Sequence, residues 1–61
     1  MSASKWMVER RRDRGKTVYQ VYRLRDTKQP DVPENREYKG RECPDYDTAE
    51  AYARLLNEVR T

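Results

Sequence analysis

The sequence lacks histidine and contains a single cysteine, Cys43. One cysteine cannot form an internal disulfide, which excludes a disulfide-stabilised scaffold. A zinc site of the ordinary kind needs several cysteine or histidine ligands, so it is excluded as well. Nucleophilic triads lose their usual base when histidine is absent. We therefore expect a protein without a metal, without a cofactor and without enzymatic activity.

Glycine and long apolar segments are also scarce. Gly15 and Gly40 are the only glycines, so the chain has no glycine-rich loop that could cradle a phosphate. No segment approaches the run of about 18 apolar residues that a membrane-spanning helix needs. No apolar signal-peptide core follows Met1 either. We expect a cytoplasmic protein that does not contact a membrane.

The chain is short enough for one domain only, and we predict that residues 1–61 form it. A chain of this length buries about 60% of the surface that its unfolded form exposes. Phenylalanine is absent, so the core has to come from Trp6, the five tyrosines and a few aliphatic side chains. Residues 1–4 are mainly polar and are predicted to form a flexible terminus.

Two segments in the first half of the chain have the pattern of β-strands. Lys5–Arg12 alternates between two sets of side chains, and Thr17–Arg25 is rich in β-branched and aromatic residues. Between them, Asp13–Lys16 has a turn signature in which Gly15 supplies a positive φ. The pattern predicts a β-hairpin.

The type of turn decides which side chains share a face of this hairpin. We favour a three-residue loop with Gly15 as a bulge, which places Trp6 opposite Tyr22. The core face then carries Trp6, Val8, Val18, Tyr22 and Leu24. The opposite face is mixed and basic, and it carries Met7, Arg11, Tyr19, Val21, Arg23 and Arg25. A two-residue turn would instead put Trp6 and Val8 on the face of Tyr19 and Val21, because strand side chains alternate.

The second half of the chain predicts a loop, a third strand and a helix. Asp26–Asn35 contains two prolines and is expected to be a loop. Arg36–Cys43 is expected to be a short strand that is interrupted at Gly40. A helix is predicted over 47–59, with Asp47 as its N-cap and an apolar stripe of Ala49, Tyr52, Ala53, Leu55, Leu56 and Val59. The predicted fold is α+β, with three antiparallel strands packed on one C-terminal helix (β-β-β-α).

Charge is distributed unevenly along the chain. Residues 1–25 hold eight Lys or Arg and two acidic residues, whereas residues 26–61 hold six basic and nine acidic ones. The basic half coincides with the predicted hairpin, and Arg14 and Lys16 lie at its tip. A hairpin tip with flanking arginines can contact phosphates on both sides of a groove. The same charges could simply keep the edge of a sheet from aggregating.

The order of elements resembles the small arm-type DNA-binding domains at the N-terminus of tyrosine recombinases (phage and transposon integrases), and more remotely the AP2 type. The resemblance rests on Trp6–Val8, Gly15–Lys16, Tyr19–Arg23 and Asp47–Ala53. In that family the sheet enters the major groove and the helix supports it from behind. The resemblance implies a protein of a phage or mobile element with sheet contacts from Arg11, Tyr19, Arg23, Arg25, Lys39 and Arg41.

Two functions follow as hypotheses. The first is a non-catalytic module that binds double-stranded DNA through Arg11, Arg14, Lys16, Tyr19, Arg23, Arg25, Lys39 and Arg41. The second is a protein-interaction domain, such as a homo-oligomer, that uses apolar side chains on the outer face of the sheet: Met7, Tyr19 and Val21. Binding of RNA or single strands by stacking on tyrosines is a variant of the first. A continuous basic outer face would favour nucleic acid, and arginines neutralised by Glu9 and Glu37 would favour a solvated sheet.

Overall fold

The computed structural model describes residues 2–59 and confirms the β-β-β-α architecture. Three strands form one antiparallel sheet in the order β1-β2-β3, and a single helix covers one side of it. The elements are β1 (Met7–Asp13), β2 (Lys16–Leu24), β3 (Arg36–Cys43) and α1 (Tyr46–Glu58), and a short 3-10 helix, Pro33–Asn35, precedes β3. Within residues 2–59, no helix is long and apolar enough to span a membrane.

The hairpin turn differs from the one that we favoured. Asp13 pairs with Lys16, so the loop contains only Arg14 and Gly15. Both residues have positive φ, 55° for Arg14 and 80° for Gly15, as a type I′ turn requires. The prediction of a three-residue bulged loop was wrong. The primed turn twists in the same sense as the two strands that it joins, whereas the bulged loop would have added an unpaired residue.

The shorter turn changes which β2 side chains share a face with Trp6 and Val8. Val8 lies opposite Val21 rather than opposite Gln20. The helix therefore packs on Val21 and, around it, on Trp6, Val8 and Tyr19. The predicted core face was wrong in its second-strand members, since Val18, Tyr22 and Leu24 lie on the opposite face by strand alternation. Burial favours this arrangement because Val21 is only 1% exposed.

Small side chains let the helix approach the sheet closely. Ala49 and Ala53 are buried, with exposures of 0% and 5%, and they contact Val21. The predicted apolar stripe is narrower in the structure, because Leu55 and Val59 are exposed. The three buried side chains, with partly buried neighbours around them, form the core of residues 2–59.

The helix starts earlier than predicted. Asp45 rather than Asp47 is the N-cap, and its carboxylate accepts a hydrogen bond from the backbone N–H of Thr48 at 2.9 Å. Asp47 lies in the first turn, where its negative charge is favourable to the helix dipole. Both acidic residues can serve as caps by type, and the hydroxyl of Thr48 adds a second contact to the Asp45 carboxylate.

The segment before β1 makes hydrogen bonds to the end of β2 and to the loop that follows it. The backbone N–H of Ser4 donates to the carbonyl of Leu24 at 3.0 Å, and the Ser4 hydroxyl accepts from the backbone N–H of Leu24 at 2.9 Å. The carbonyl of Ser2 accepts from the backbone N–H of Thr27 at 2.9 Å. Residues 2–4 thus bind the end of β2, and Met1 lies outside the described residues.

Candidate functional site

Glu9 is the centre of a polar network on the outer face, the side of the sheet that is turned away from α1. Its carboxylate accepts hydrogen bonds from Arg11 and from the Tyr38 hydroxyl, each at 2.7 Å. It also forms an ion pair with Arg36. The Glu9 side chain is 14% exposed. Strands β1 and β3 do not pair with each other, so this network ties the two edges of the sheet together across β2.

The two arginines of the network have further partners. Arg11 also contacts the Gln20 side chain, at 2.9 Å, and forms an ion pair with Glu42. Arg36 donates to Asp31 at 2.6 and 3.1 Å, and its guanidinium lies 4.5 Å from the centre of the Tyr22 ring. The outer face is therefore not a continuous basic surface. Its arginines are neutralised by carboxylates, which is the pattern expected of a solvated sheet.

The network changes the pKa of the Glu9 carboxyl. Partial burial acts to raise this pKa, but hydrogen bonds from Tyr38 and Arg11 and the charges of Arg11 and Arg36 outweigh it. The pKa of Glu9 consequently lies below its ordinary value of 4.5. A lowered pKa in the folded state means that Glu9 stabilises the fold while it is ionised.

We expect Glu9 to make the fold sensitive to acid. Its contribution is fully present above the ordinary pKa of 4.5 and is lost as the pH falls through the lower pKa of the folded state. Glu9→Gln should cost about 1–2 kcal/mol at pH 7, and that difference should shrink below pH ~4, as measured by urea unfolding. Glu37→Gln is the control, because Glu37 pairs with Arg23 alone and is half-exposed; we expect at most about 1 kcal/mol there. A Glu9→Gln difference that stays constant from pH 7 to 3 would contradict the assignment.

The eight residues predicted to contact DNA do not form one surface. Arg11 lies on the outer face, whereas Tyr19 lies under the helix with its ring 5.8 Å from that of Tyr46. Arg23 also lies on the helix side of the sheet. Its guanidinium carbon is 4.4 Å from the centre of the Trp6 ring, and its Nε is 2.9 Å from Oε1 of Glu37. The exposed remainder is Arg25, Lys39 and Arg41 on the β2–β3 side and Arg14 and Lys16 at the hairpin turn. The structure brings together Arg14 and Lys16 at the turn, and Arg23 and Lys39 over the Trp6 ring. A role of the set in DNA binding stays a prediction.

The distal hairpin, residues 10–17, holds the group of available cations that is most concentrated along the chain. Arg10, Arg12, Arg14 and Lys16 are exposed, and among residues 2–59 none of them has a carboxylate oxygen within 4.0 Å. Asp13 is the only acidic residue of this segment. Sequence reasoning left out Arg10 and Arg12 because the favoured register assigned them to the core side. The structure also places both on the helix side of the sheet, but there they are exposed.

Arg14 occupies a backbone conformation that does not favour arginine. Its φ of 55° is in the left-handed region, where asparagine, aspartate or glycine is preferred at the first position of a type I′ turn. An arginine there costs the hairpin some stability. Residues that break a local structural rule tend to occur at functional sites. The turn is therefore a candidate functional site.

No family model, no curated protein and no solved structure matches the chain.

Proposed function

We propose that this chain is a non-catalytic module that binds double-stranded DNA through the distal hairpin. The observation that carries the proposal is the group of four exposed cations, Arg10, Arg12, Arg14 and Lys16, that lack a carboxylate partner among residues 2–59. Phosphate contacts by such side chains supply most of the affinity of non-specific DNA binding, through release of counterions.

The shape of the hairpin supports the same proposal. The major groove of B-DNA, about 12 Å wide, admits a two-stranded β-ribbon. Arg10 and Arg12 are on the helix side of this ribbon, Lys16 is on its outer side by strand alternation, and Arg14 is at its tip. Cations on both sides of an inserted ribbon face the phosphates of both groove walls.

The outer face of the sheet is a weaker candidate for the same task. Arg11 and Arg36 already bind Glu9, Glu42 and Asp31. To contact phosphates, these arginines would have to give up existing ion pairs and hydrogen bonds. The distal cations have no such cost, so we assign the phosphate contacts to them.

The protein-interaction hypothesis loses its original support. It relied on Met7, Tyr19 and Val21 as apolar side chains on an exposed face. The packing of α1 corrects this, because Val21 is buried under the helix and Tyr19 packs beside it. Of these three residues only Met7 lies on the outer face, together with Val18, Tyr22 and Leu24. All four are partly buried and share that face with the polar network of Glu9, so they do not form a widely exposed apolar patch.

Titration of a DNA duplex with the protein at several salt concentrations tests the proposal. Each phosphate contact adds about 0.9 to the slope of log K against log salt. Replacing Arg10, Arg12, Arg14 and Lys16 together by alanine should reduce the magnitude of that slope by about 3–4. It should lower the affinity at 50 mM salt by about 100-fold or more.

The matched control replaces four other exposed cations, Arg25, Lys28, Lys39 and Arg41, by alanine. This variant has the same net charge, and we expect it to keep most of the slope. An equal loss in both variants would mean a diffuse charge effect, and a loss in the control alone would return the site to the β2–β3 side. Absence of binding by the unaltered protein at low salt would end the proposal. Circular dichroism confirms that each variant is folded.

A further inference from the structure

Strand β1 has an edge that no other strand covers within residues 2–59, because the strand order is β1-β2-β3. The pairing of Asp13 with Lys16 across a two-residue turn makes Asp13, Arg11, Glu9 and Met7 the residues that exchange backbone hydrogen bonds with β2. The backbone N–H and C=O groups of the intervening residues, Val8, Arg10 and Arg12, consequently point away from the sheet.

The helix already imitates a partner strand at the start of this edge. The side-chain amide of Asn57 accepts a hydrogen bond from the backbone N–H of Trp6 at 2.8 Å and donates one to the Trp6 carbonyl at 3.2 Å. A neighbouring β-strand would make the same pair of contacts. The contact also shows that the main-chain groups of Trp6 point outward, as the alternation requires for Val8, Arg10 and Arg12. Beyond Asn57, no other segment of residues 2–59 forms a strand along this edge.

A groove runs between this edge and the helix. It has a volume of about 370 Å³ and is lined by apolar or aromatic residues, Trp6, Met7, Val8, Tyr46 and Ala53, and by polar ones, Lys5, Glu50, Arg54 and Asn57. Glu50 and Arg54 lie 3.6 Å apart and offset each other. Among residues 2–59, the charges left on the helix side of this edge are those of Lys5, Arg10 and Arg12, all positive, whereas Asp13 at the end of β1 lies on the outer face.

We propose that the β1 edge binds an extended acidic peptide of a partner protein as an added strand. Val8, Arg10 and Arg12 share the helix side of the sheet. In an added antiparallel strand, every second residue would lie opposite one of them: an acidic residue opposite Arg12, a second acidic residue opposite Arg10 and an apolar residue opposite Val8. The apolar residue enters the groove beside Trp6, and the two carboxylates meet Arg10 and Arg12. A second copy of this chain fits less well, because two such edges would bring arginines together.

Strand addition at the β1 edge does not require DNA binding, although Arg10 and Arg12 take part in both. The probe is a labelled synthetic peptide with the order Glu-Thr-Glu-Thr-Leu, and its control has lysine in place of both glutamates. Fluorescence anisotropy measures binding to the full chain. We expect the acidic peptide to bind and the basic one not to bind.

A pair of variants separates strand addition from simple charge attraction. Arg10→Ala and Arg10→Pro both remove the guanidinium, but only proline removes the outward N–H, and neither disturbs the ladder to β2. We expect both variants to lose DNA affinity equally, and Arg10→Pro to bind the peptide at least about fivefold more weakly than Arg10→Ala, as loss of one hydrogen bond predicts. Equal peptide affinity for the two variants would overturn strand addition.

Hydrogen exchange in the unaltered protein provides a second measurement that does not depend on variants. The amides of Val8, Arg10 and Arg12 should exchange more slowly when the acidic peptide is bound. Protection elsewhere, or none, would overturn the proposal even if Arg10→Pro fails to fold. A concentration-dependent dimer that protects the same amides would replace the acidic peptide by a second copy as the occupant.

Discussion

Gly40→Ala is expected to destabilise the fold by about 2–4 kcal/mol. Gly40 has a φ of 83°, in the left-handed region, which alone costs a residue with a side chain about 1–2 kcal/mol. A Cβ atom at this position would lie 2.7 Å from Cε2 of Tyr52, closer than atoms approach without movement. Tyr52 packs against the core, so its ring has to shift, and such overpacking adds about 1–3 kcal/mol. Urea unfolding followed by circular dichroism measures the loss.

Gly15→Ala is the matched control for this prediction. Gly15 has nearly the same φ, 80°, but no atom lies within 4 Å of the position that its Cβ would occupy. It therefore reports the backbone cost alone, and we expect about 1–2 kcal/mol. If the two variants are equally destabilised, the contact between the added Cβ and the Tyr52 ring does not contribute to the loss of stability at Gly40. A loss below about 1 kcal/mol at Gly40 would contradict the prediction entirely.

Asn35→Ala is expected to cost about 2–4 kcal/mol. The side chain of Asn35 is buried in the loop between β2 and β3, with 9% exposure for the residue. Its amide accepts from the backbone N–H of Asp26 at 3.1 Å and donates to the carbonyls of Asp26 and Pro30 at 2.9 and 3.0 Å. Alanine leaves these backbone groups without their partner, and each buried unpaired group costs about 1–3 kcal/mol unless water reaches it. For a domain of this size, the loss is a large part of the total stability.

Gln29→Ala tests whether the effect belongs to Asn35 or to the loop in general. Gln29 is an exposed residue of the same loop, and substitution there should change stability by no more than about 0.5 kcal/mol. Thermal and urea unfolding of both variants give the comparison. If Asn35→Ala is as stable as the unaltered protein, water replaces the Asn35 amide, and this amide does not hold the segment before β3 in place.

Local patterns were sufficient to predict the kinds of elements and their order. Arg36–Cys43 was predicted with the bounds that the structure has, and the helix start was displaced by one residue. These predictions succeed because turn residues, strand alternation and helical spacing act between residues that are close in the chain. The N-cap was misassigned for a related reason. Asp45 and Asp47 each stand three residues before a residue that suits a capping motif, Thr48 and Glu50, and local pattern does not distinguish them.

The candidate site was harder to predict than the fold. Arg14 and Lys16 were placed at the turn from sequence, and the structure has them there. Arg10 and Arg12 were missed, and Arg11 was assigned to an open basic face although Glu9 and Glu42 bind it. The pair with Glu42 joins β1 to β3 and so depends on register, whereas Glu9 is in β1 itself, two residues before Arg11. A one-residue error in the turn moves the β2 side chains to the other face relative to those of β1, and so changes the cross-strand neighbours that are expected for each β1 residue.

The sequence by itself determined that this protein is a small β-β-β-α domain with a basic hairpin. Only the tertiary structure decided which face of the hairpin is covered. Both turns are acceptable locally, and the choice between them is made by the packing of Val21 against Ala49 and Ala53. That contact joins residues nearly thirty positions apart. Burial of apolar surface over such a distance selects the register, and the register then leaves the distal cations exposed while it neutralises those on the outer face.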